Sequence, residues 1–354
     1  MPIVAHNSLP SFQRLRDEGI NVLSPDRASN QDIRELHIGL LNMMPDSALF
    51  ATERQFFRLI GESNPIAQFY IHPFSLSEFH RSREIQKHID SYYETFDQLR
   101  EKGLDALIIT GANVSGLELS EQPFWEPLIE IVDWAYENVT STLCSCLATH
   151  AVLEFRYKKK RKLQKEKKWG VFSHKIVMDS HPLVSDVNTR FDVPHSRWNE
   201  ISQQQFLDAN LHILAESKEA GVHLATSSDG LRFVFFQGHP EYDTISLFKE
   251  FKREVGLYVT GDTLAFPPFV ENYFNDSQKA VIREFKRKLV EARIKNNSLP
   301  DFPESLIVDT LDNTWHDTAE SIMSNWIGLV YQVTHRDRKK PFMDNINPKN
   351  PLQL

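Results

Sequence analysis

The sequence predicts an α/β protein: a mostly parallel sheet flanked by helices, with N- and C-terminal extensions. Three observations predict it. Short runs rich in β-branched, aromatic and other apolar residues recur along the chain. Segments with helical spacing follow three of the first four runs, and strands that alternate with helices form parallel sheets covered on both faces. The composition, 41% hydrophobic and 25% charged, is that of a folded globular chain. In such sheets reactive residues collect just past the carboxyl ends of the strands.

Residues 1–35 read as an N-terminal extension. Leu36–Leu41 is the first core strand, and Thr52–Ile60 repeats apolar residues at three and four, as a helix does. Gln68–Ile71 and Ala106–Thr110 are the next strands. Phe124–Tyr136 is helical, with Trp125, Leu128, Ile129 and Val132 on one face. Thr140–Cys144 is a strand and Cys146–Phe155 a short buried helix. Lys175–Met178, His223–Thr226 and Phe233–Phe236 complete the strands of a catalytic domain spanning 36–260. Pro267-Pro268 breaks the chain. Asp276 or Ser277 caps a helix to about Ile294, with Val281, Ile282, Phe285, Leu289 and Ala292 on one side. A second helix runs from about Asp317 to Tyr331. The tail from Arg336, rich in Pro, Asn and Lys, is expected to be poorly ordered. Residues 261–354 are read as a helical extension packed on the core.

At 354 residues the chain allows one elaborated domain or two ordinary ones. No run of about 18 apolar residues is present, so no membrane span is expected, and Met1–Pro10 lacks the pattern of a secretory signal. The two cysteines, Cys144 and Cys146, are too close to staple a fold, which points to the cytoplasm. A net charge of −8 argues against a nucleic-acid binder. One island opposes that charge: Arg156–Lys168 holds nine cations and one acid, leaving the rest at −16, with 31 cations against 47 acids. It suits an anionic ligand or is simply a solvated loop. Metal chemistry is a weak rival. No two of the 14 histidines lie within five residues, and no H-E-x-x-H, C-x-x-C, Walker A or G-x-G-x-x-G pattern occurs. No metal or prosthetic group is expected.

Two segments could carry chemistry. In Thr140-Ser-Thr-Leu-Cys-Ser-Cys146-Leu-Ala-Thr-His150, a strand enters and a helix leaves. A cysteine at that junction meets unpaired N–H groups, which favour a thiolate and can hold an oxyanion. Cys144 belongs to the strand, so Cys146 is the better nucleophile. Both could instead be small buried apolar residues. In Phe233-Val-Phe-Phe-Gln-Gly-His-Pro-Glu241 an apolar strand ends in Gly238, and His239 and Glu241 point the same way from an extended turn. Glu241 can then fix the imidazole tautomer, as the acid of a triad does. A surface turn with an incidental histidine is the plainer alternative.

A strand-end cysteine followed by Gly-His-Pro-Glu is similar to the class I glutamine amidotransferases, whose fold is flavodoxin-like. Those enzymes usually place glycines two residues either side of the cysteine; here Cys144 and Ala148 stand there. The chain resembles more closely the homoserine O-acyltransferase family, the homoserine O-succinyltransferases or transsuccinylases, from Pro2 to about Thr334. The likeness is carried by Arg27-Ala-Ser29, Leu41-Asn-Met-Met-Pro45, Thr52-Glu-Arg-Gln-Phe56, Thr110-Gly-Ala112 and Thr140-Ser-Thr-Leu143. It continues through Gly170-Val-Phe172, Pro194-His-Ser-Arg197, Gly238-His-Pro-Glu-Tyr-Asp243 and Trp326–Thr334. After Pro45 the family form has lysines; this chain has Asp46-Ser-Ala-Leu-Phe-Ala51, and its segment 262–311 is longer than usual.

The resemblance implies ping-pong acyl transfer from an acyl-CoA to the hydroxyl of L-homoserine, in methionine biosynthesis. It implies Cys146 as the acyl-thioester, His239 as general base and Glu241 as its partner. Lys167 and Ser196 become substrate contacts, and Arg253 the residue that holds the homoserine carboxylate. Backbone N–H groups of Leu147 and of Ala112 or Asn113 are candidates for the oxyanion hole. The family links the position of Ser115 to donor choice, glycine with succinyl-CoA and glutamate with acetyl-CoA. The small uncharged Ser115 points to succinyl-CoA. Acetyl-CoA as donor, L-serine as acceptor, and a glutamine amidotransferase-type hydrolase are the alternatives. The partners implied are the two substrates and a second copy in a homodimer.

Overall fold

The computed structural model describes residues 3–31, 33–63, 67–114 and 118–354. Eleven strands among them join in one sheet. In chain order they are β1 (Ile3–Val4), β2 (Val22–Leu23), β3 (Glu35–Leu41), β4 (Gln68–Phe74), β5 (Ala106–Ile109) and β6 (Ser141–Ser145). Then come β7 (Lys162–Ile176), β8 (Arg190–Glu200), β9 (His212–Ser217), β10 (Gly221–Thr226) and β11 (Phe233–Phe236). The spatial order is β2-β1-β4-β3-β5-β6-β11-β10-β9-β7-β8. Every pairing from β2 to β11 is parallel. Every pairing from β11 to β8 is antiparallel. The result is a mostly parallel sheet carrying an antiparallel wing.

The parallel part reads as unbroken apolar runs because both its faces are covered. Ala106–Ile109 and Phe233–Phe236 are wholly buried. Their side chains alternate between faces, as the pleat requires. Leu107, Ile109, Cys144, Phe233 and Phe235 pack with the helices Trp125–Asn138 and Leu147–Tyr157. Ile108, Leu143, Val234 and Phe236 pack with the helices Asp46–Glu62 and His316–Val333. Burying each such large side chain contributes roughly 1.5–3 kcal/mol. Trp326 of the last helix is fully buried, and its Nε1 donates to Ser141 Oγ at 2.8 Å, so this helix belongs to the central core.

The wing departs from expectation. β7 begins at Lys162, within the basic run taken for a loop, not at Lys175. Its first half pairs only with β8, as a two-stranded ribbon. Exposed lysines there erase the apolar alternation by which a strand is read. Farther along, Trp169 and Val171 pack under the helices Ser246–Thr260 and Asp276–Lys295. Gly170 permits this closeness, since a Cβ there would lie 2.4 Å from Glu271 O. Val171 N donates to Glu271 O and Glu271 N to Trp169 O, each at 2.9 Å. The tail from Arg336 is also not loose. Phe342 is buried against the core, Thr140 Oγ1 donates to Pro341 O, and Met343 N donates to Val333 O at 3.1 Å. A few apolar anchors, Phe342 with Ile346 and Leu352, outweigh the polar composition around them. Among the described residues no helix is long and apolar enough to cross a membrane.

Candidate active site

Cys146 stands alone between the last residue of β6 and the first of the helix Leu147–Tyr157. Its φ of 52° and ψ of −106° lie where side-chain-bearing residues rarely sit, at a cost of roughly 1–3 kcal/mol. Neighbouring bonds hold it there. Cys146 N donates to Phe236 O at 2.7 Å, and Thr149 Oγ1 donates to Cys144 O at 2.8 Å and to Phe236 O at 2.9 Å. The turn lifts Cys146 out of the strand to a partly exposed position beside the first N–H groups of the helix, which have no intrahelical partner. Cys144 remains inside β6, fully buried, and burial raises its thiol pKa far above the usual value.

The neighbouring strand β11 delivers the second half. Gly238 N donates to His223 Nδ1 at 3.3 Å, and His239 N donates to Pro194 O at 2.7 Å. Only glycine fits at 238, where a Cβ would lie 2.6 Å from Val193 Cγ1 and 2.8 Å from His195 Nε2. His239 Nδ1 lies 2.8 Å from Glu241 Oε1, and both residues are buried. The imidazole stacks on Tyr242 at 4.4 Å between centroids. Burial alone would lower the His239 pKa; the charges of Glu241 and Cys146, and hydrogen bonds to both, raise it well above 6.5. With Nδ1 held by Glu241, Nε2 faces the thiol. The two sequence candidates therefore meet.

The loop rests on uncharged imidazoles that the sequence reading did not single out. Arg197 Nε donates to His195 Nδ1 at 3.3 Å, His195 Nε2 lies 3.2 Å from His174 Nε2, and His174 Nδ1 lies 2.8 Å from Phe172 O. A carbonyl only accepts, so the tautomers follow in sequence along this chain. Burial drives His195 and His223 well below the usual histidine pKa and His174 to about 4.

Lys167 of β7 and Ser196 of β8 converge, but on a residue the sequence reading missed. Lys167 Nζ lies 3.1 Å and Ser196 Oγ 2.6 Å from Glu250 Oε2, while the Tyr242 hydroxyl donates to Glu250 Oε1 at 3.0 Å. Burial pushes the Glu250 pKa up, but Lys167 and Ser196 more than offset it and the carboxyl is held below its usual value. An isolated acid in a helix reads as a solvated one; only its neighbours across the fold reveal it. Arg253, one turn further along that helix, is not gathered in. Its side chain is 59% exposed and its Nη2 lies 3.3 Å from Glu254 Oε1.

The loop after β5 passes beside Cys146. A Cβ on Gly111 would lie 3.5 Å from Cys146 Cβ and 3.9 Å from Leu147 N, which brings the chain leading to Ala112 and Asn113 alongside. Ser115 lies outside the described residues. Three cations of the basic run pair with surface acids: Arg156 with Asp133 at 2.9 Å, Lys159 with Asp208 at 3.4 Å, and Lys160 with Glu118. Those pairings fit its reading as a solvated surface. At Lys167 the run turns inward.

Comparison with known proteins agrees along the whole chain. The profile of a family described as homoserine O-succinyltransferase matches residues 2–336. The chain is 62% identical to a homoserine O-succinyltransferase of Allochromatium vinosum over 354 residues, covering 100% of this chain and 99% of that protein. It is also 62% identical to that of Nitrosococcus oceani, with the same coverage. Among solved structures, a glutamine amidotransferase from Thermotoga maritima aligns with 84% of this chain and 98% of its own, at 11% identity and a TM-score of 0.44.

Proposed function

Because the chain belongs to the homoserine O-succinyltransferase family, we propose that Cys146 carries a succinyl group from succinyl-CoA to the hydroxyl of L-homoserine. The observation that carries this reading is the buried His239–Glu241 pair beside a cysteine on a strained strand-to-helix turn.

His239 takes the proton of Cys146, which leaves an imidazolium beside a thiolate, and the charge of Glu241 favours the proton on His239. The thiolate attacks the thioester carbonyl, and backbone N–H groups of Leu147 and of the loop at Ala112–Asn113 receive the oxyanion. As the tetrahedral intermediate collapses, His239 gives its proton to the departing CoA sulfur. The acyl-enzyme no longer carries charge on Cys146, so one of the influences holding the proton on His239 is gone. The imidazole is then neutral and free to act as a base. It takes the proton of the homoserine hydroxyl, whose oxygen attacks the acyl-enzyme. Cys146 leaves as thiolate beside a protonated His239, and the cycle closes. Glu241 holds the tautomer throughout.

Glu250 is suited to the acceptor's α-ammonium group, and the cations Lys167 and Arg253 to its carboxylate. The product serves methionine biosynthesis, in the cytoplasm, and a homodimer is the form proposed. Weighing the intact protein after incubation with succinyl-CoA, acetyl-CoA or glutamine tests the reading. A mass gain of one succinyl group, absent in Cys146→Ser, is expected. An acetyl adduct alone would overturn the donor, and turnover of glutamine without an acyl-CoA adduct would overturn the reaction.

A further inference from the structure

We propose that His6, His72 and Glu94 bind one divalent transition-metal ion of the zinc and cobalt class, pinning the N-terminal extension to the sheet. The proposal is independent of the acyl-transfer reading. One ligand atom from each residue lies within 4.8 Å of the other two. The three come from separate parts of the chain. His6 follows β1, His72 lies in β4, and Glu94 joins the helices Arg83–Tyr92 and Phe96–Lys102.

His6 is already held as a metal-bound histidine is. His6 Nδ1 lies 3.2 Å from Val4 O. A carbonyl only accepts, so Nδ1 carries the proton and Nε2 keeps its lone pair. That Nε2 is buried and has no hydrogen-bond partner. Metal-bound histidines characteristically donate their other N–H to a carbonyl, a carboxylate or another acceptor. His72 Nδ1 touches the Glu94 carboxylate, and His72 Nε2 lies 2.9 Å from His37 Nδ1. Binding moves the His72 proton from Nδ1, where it now bonds Glu94, to Nε2, with His37 Nδ1 accepting it, so that the Nδ1 lone pair turns to the ion. His37 then carries its proton on Nε2, 3.7 Å from Glu35 Oε1. Both rings stay neutral and no proton is lost. Lys102 occupies the second Glu94 oxygen, which leaves the first for the ion.

Two imidazoles and one carboxylate suit zinc, cobalt or nickel over magnesium or calcium. Donors in a tetrahedral zinc site lie about 3.3 Å apart, given bonds of about 2.0–2.2 Å. Glu94 must therefore step back from His72 and His6 must close in, with water as the fourth ligand. β3 and β5 separate β4 from β6, so this ion would not serve Cys146.

The test titrates chelator-treated full-length protein with Co2+ by absorption and with Zn2+ by calorimetry. Wild type and Cys146→Ser are compared, because a thiolate beside His239 and Glu241 can itself capture zinc. The proposal requires one equivalent that survives Cys146→Ser and binds at least tenfold more weakly in His6→Gln and in Glu94→Gln. It also requires a metal-dependent rise in Tm that His6→Gln loses. No equivalent surviving Cys146→Ser, or unchanged affinity in His6→Gln and Glu94→Gln, overturns it.

Discussion

Arg58 Nη1 lies 2.6 Å from Asp243 Oδ1, tying the helix Asp46–Glu62 to the loop that carries His239 and Glu241. Arg54, one turn earlier, grips the other oxygen of the same carboxylate. Asp243 follows Glu241 by two residues, so two guanidinium groups anchor the loop that carries Glu241. The same helix is locked on its other sides. Gln55 Nε2 donates to Ser246 Oγ at 2.9 Å, and the buried Glu53 accepts from the Tyr93 hydroxyl at 2.8 Å. These contacts give Glu53, Arg54 and Gln55 of the Thr52–Phe56 segment a positioning role.

Asp243→Asn removes the charge that both arginines hold. Its kcat is expected to fall roughly 10–100-fold with KM little changed, since small misplacement of a catalytic group costs that much. Single-turnover CoA release measures it; a wild-type rate would show that the clamp does not position the loop.

Cys146→Ser should abolish acyl-CoA-dependent CoA release, because a hydroxyl is a far poorer nucleophile near neutral pH. Cys144→Ser should keep the activity while losing about 1–3 kcal/mol of stability, as a hydroxyl is buried in β6. Denaturant unfolding and CoA release together check both variants, and the reverse pattern of activities would move the nucleophile to Cys144.

The His239 pKa is raised in the folded protein. Its stabilising contribution is therefore fully present below the unfolded value of about 6.5 and is lost as pH rises through the folded value. Wild type should accordingly lose stability relative to His239→Gln as the pH climbs above neutrality. In Cys146→Ser the thiolate's charge is gone, and nitrogen NMR should find the imidazole titrating at lower pH. Identical titrations in the two proteins would remove Cys146 from its surroundings.

Glu250→Gln should release CoA normally from the donor but raise the homoserine KM about tenfold or more, with Lys167 and Ser196 left facing an amide. Arg253→Ala should likewise spare the first half-reaction and impair the second. Rapid-quench assays of each half separate these effects. Normal transfer at low homoserine in Arg253→Ala would leave that residue on the surface where its side chain now lies.

Ser115→Glu should shift preference from succinyl-CoA toward acetyl-CoA, because a carboxylate beside the succinyl carboxylate repels it increasingly as water is excluded. The ratio of kcat/KM for the two donors, before and after the change, decides it.

The parallel core was readable because each of its strands is a local run buried on both faces, and a run of apolar residues needs no partner to be recognised. The β7–β8 ribbon was not, since most of Lys162–Glu166 faces water and carries no period. The tail was misjudged by composition, because a few apolar side chains, Phe342, Ile346 and Leu352, anchor it.

The sequence by itself determined the two reactive segments, Cys146 at a strand-to-helix turn and Gly238-His-Pro-Glu241 after an apolar strand. Those are short-range patterns, fixed by backbone geometry within a few residues. Tertiary structure alone decided that β11 lies beside β6, bringing His239 to Cys146. It alone gathered Lys167, Ser196 and Tyr242 around Glu250 and left Arg253 outside. A buried charge is tolerated only when partners surround it, and those of Glu250 come from residues 8 to 83 positions away along the chain, on elements that meet only once the sheet has formed.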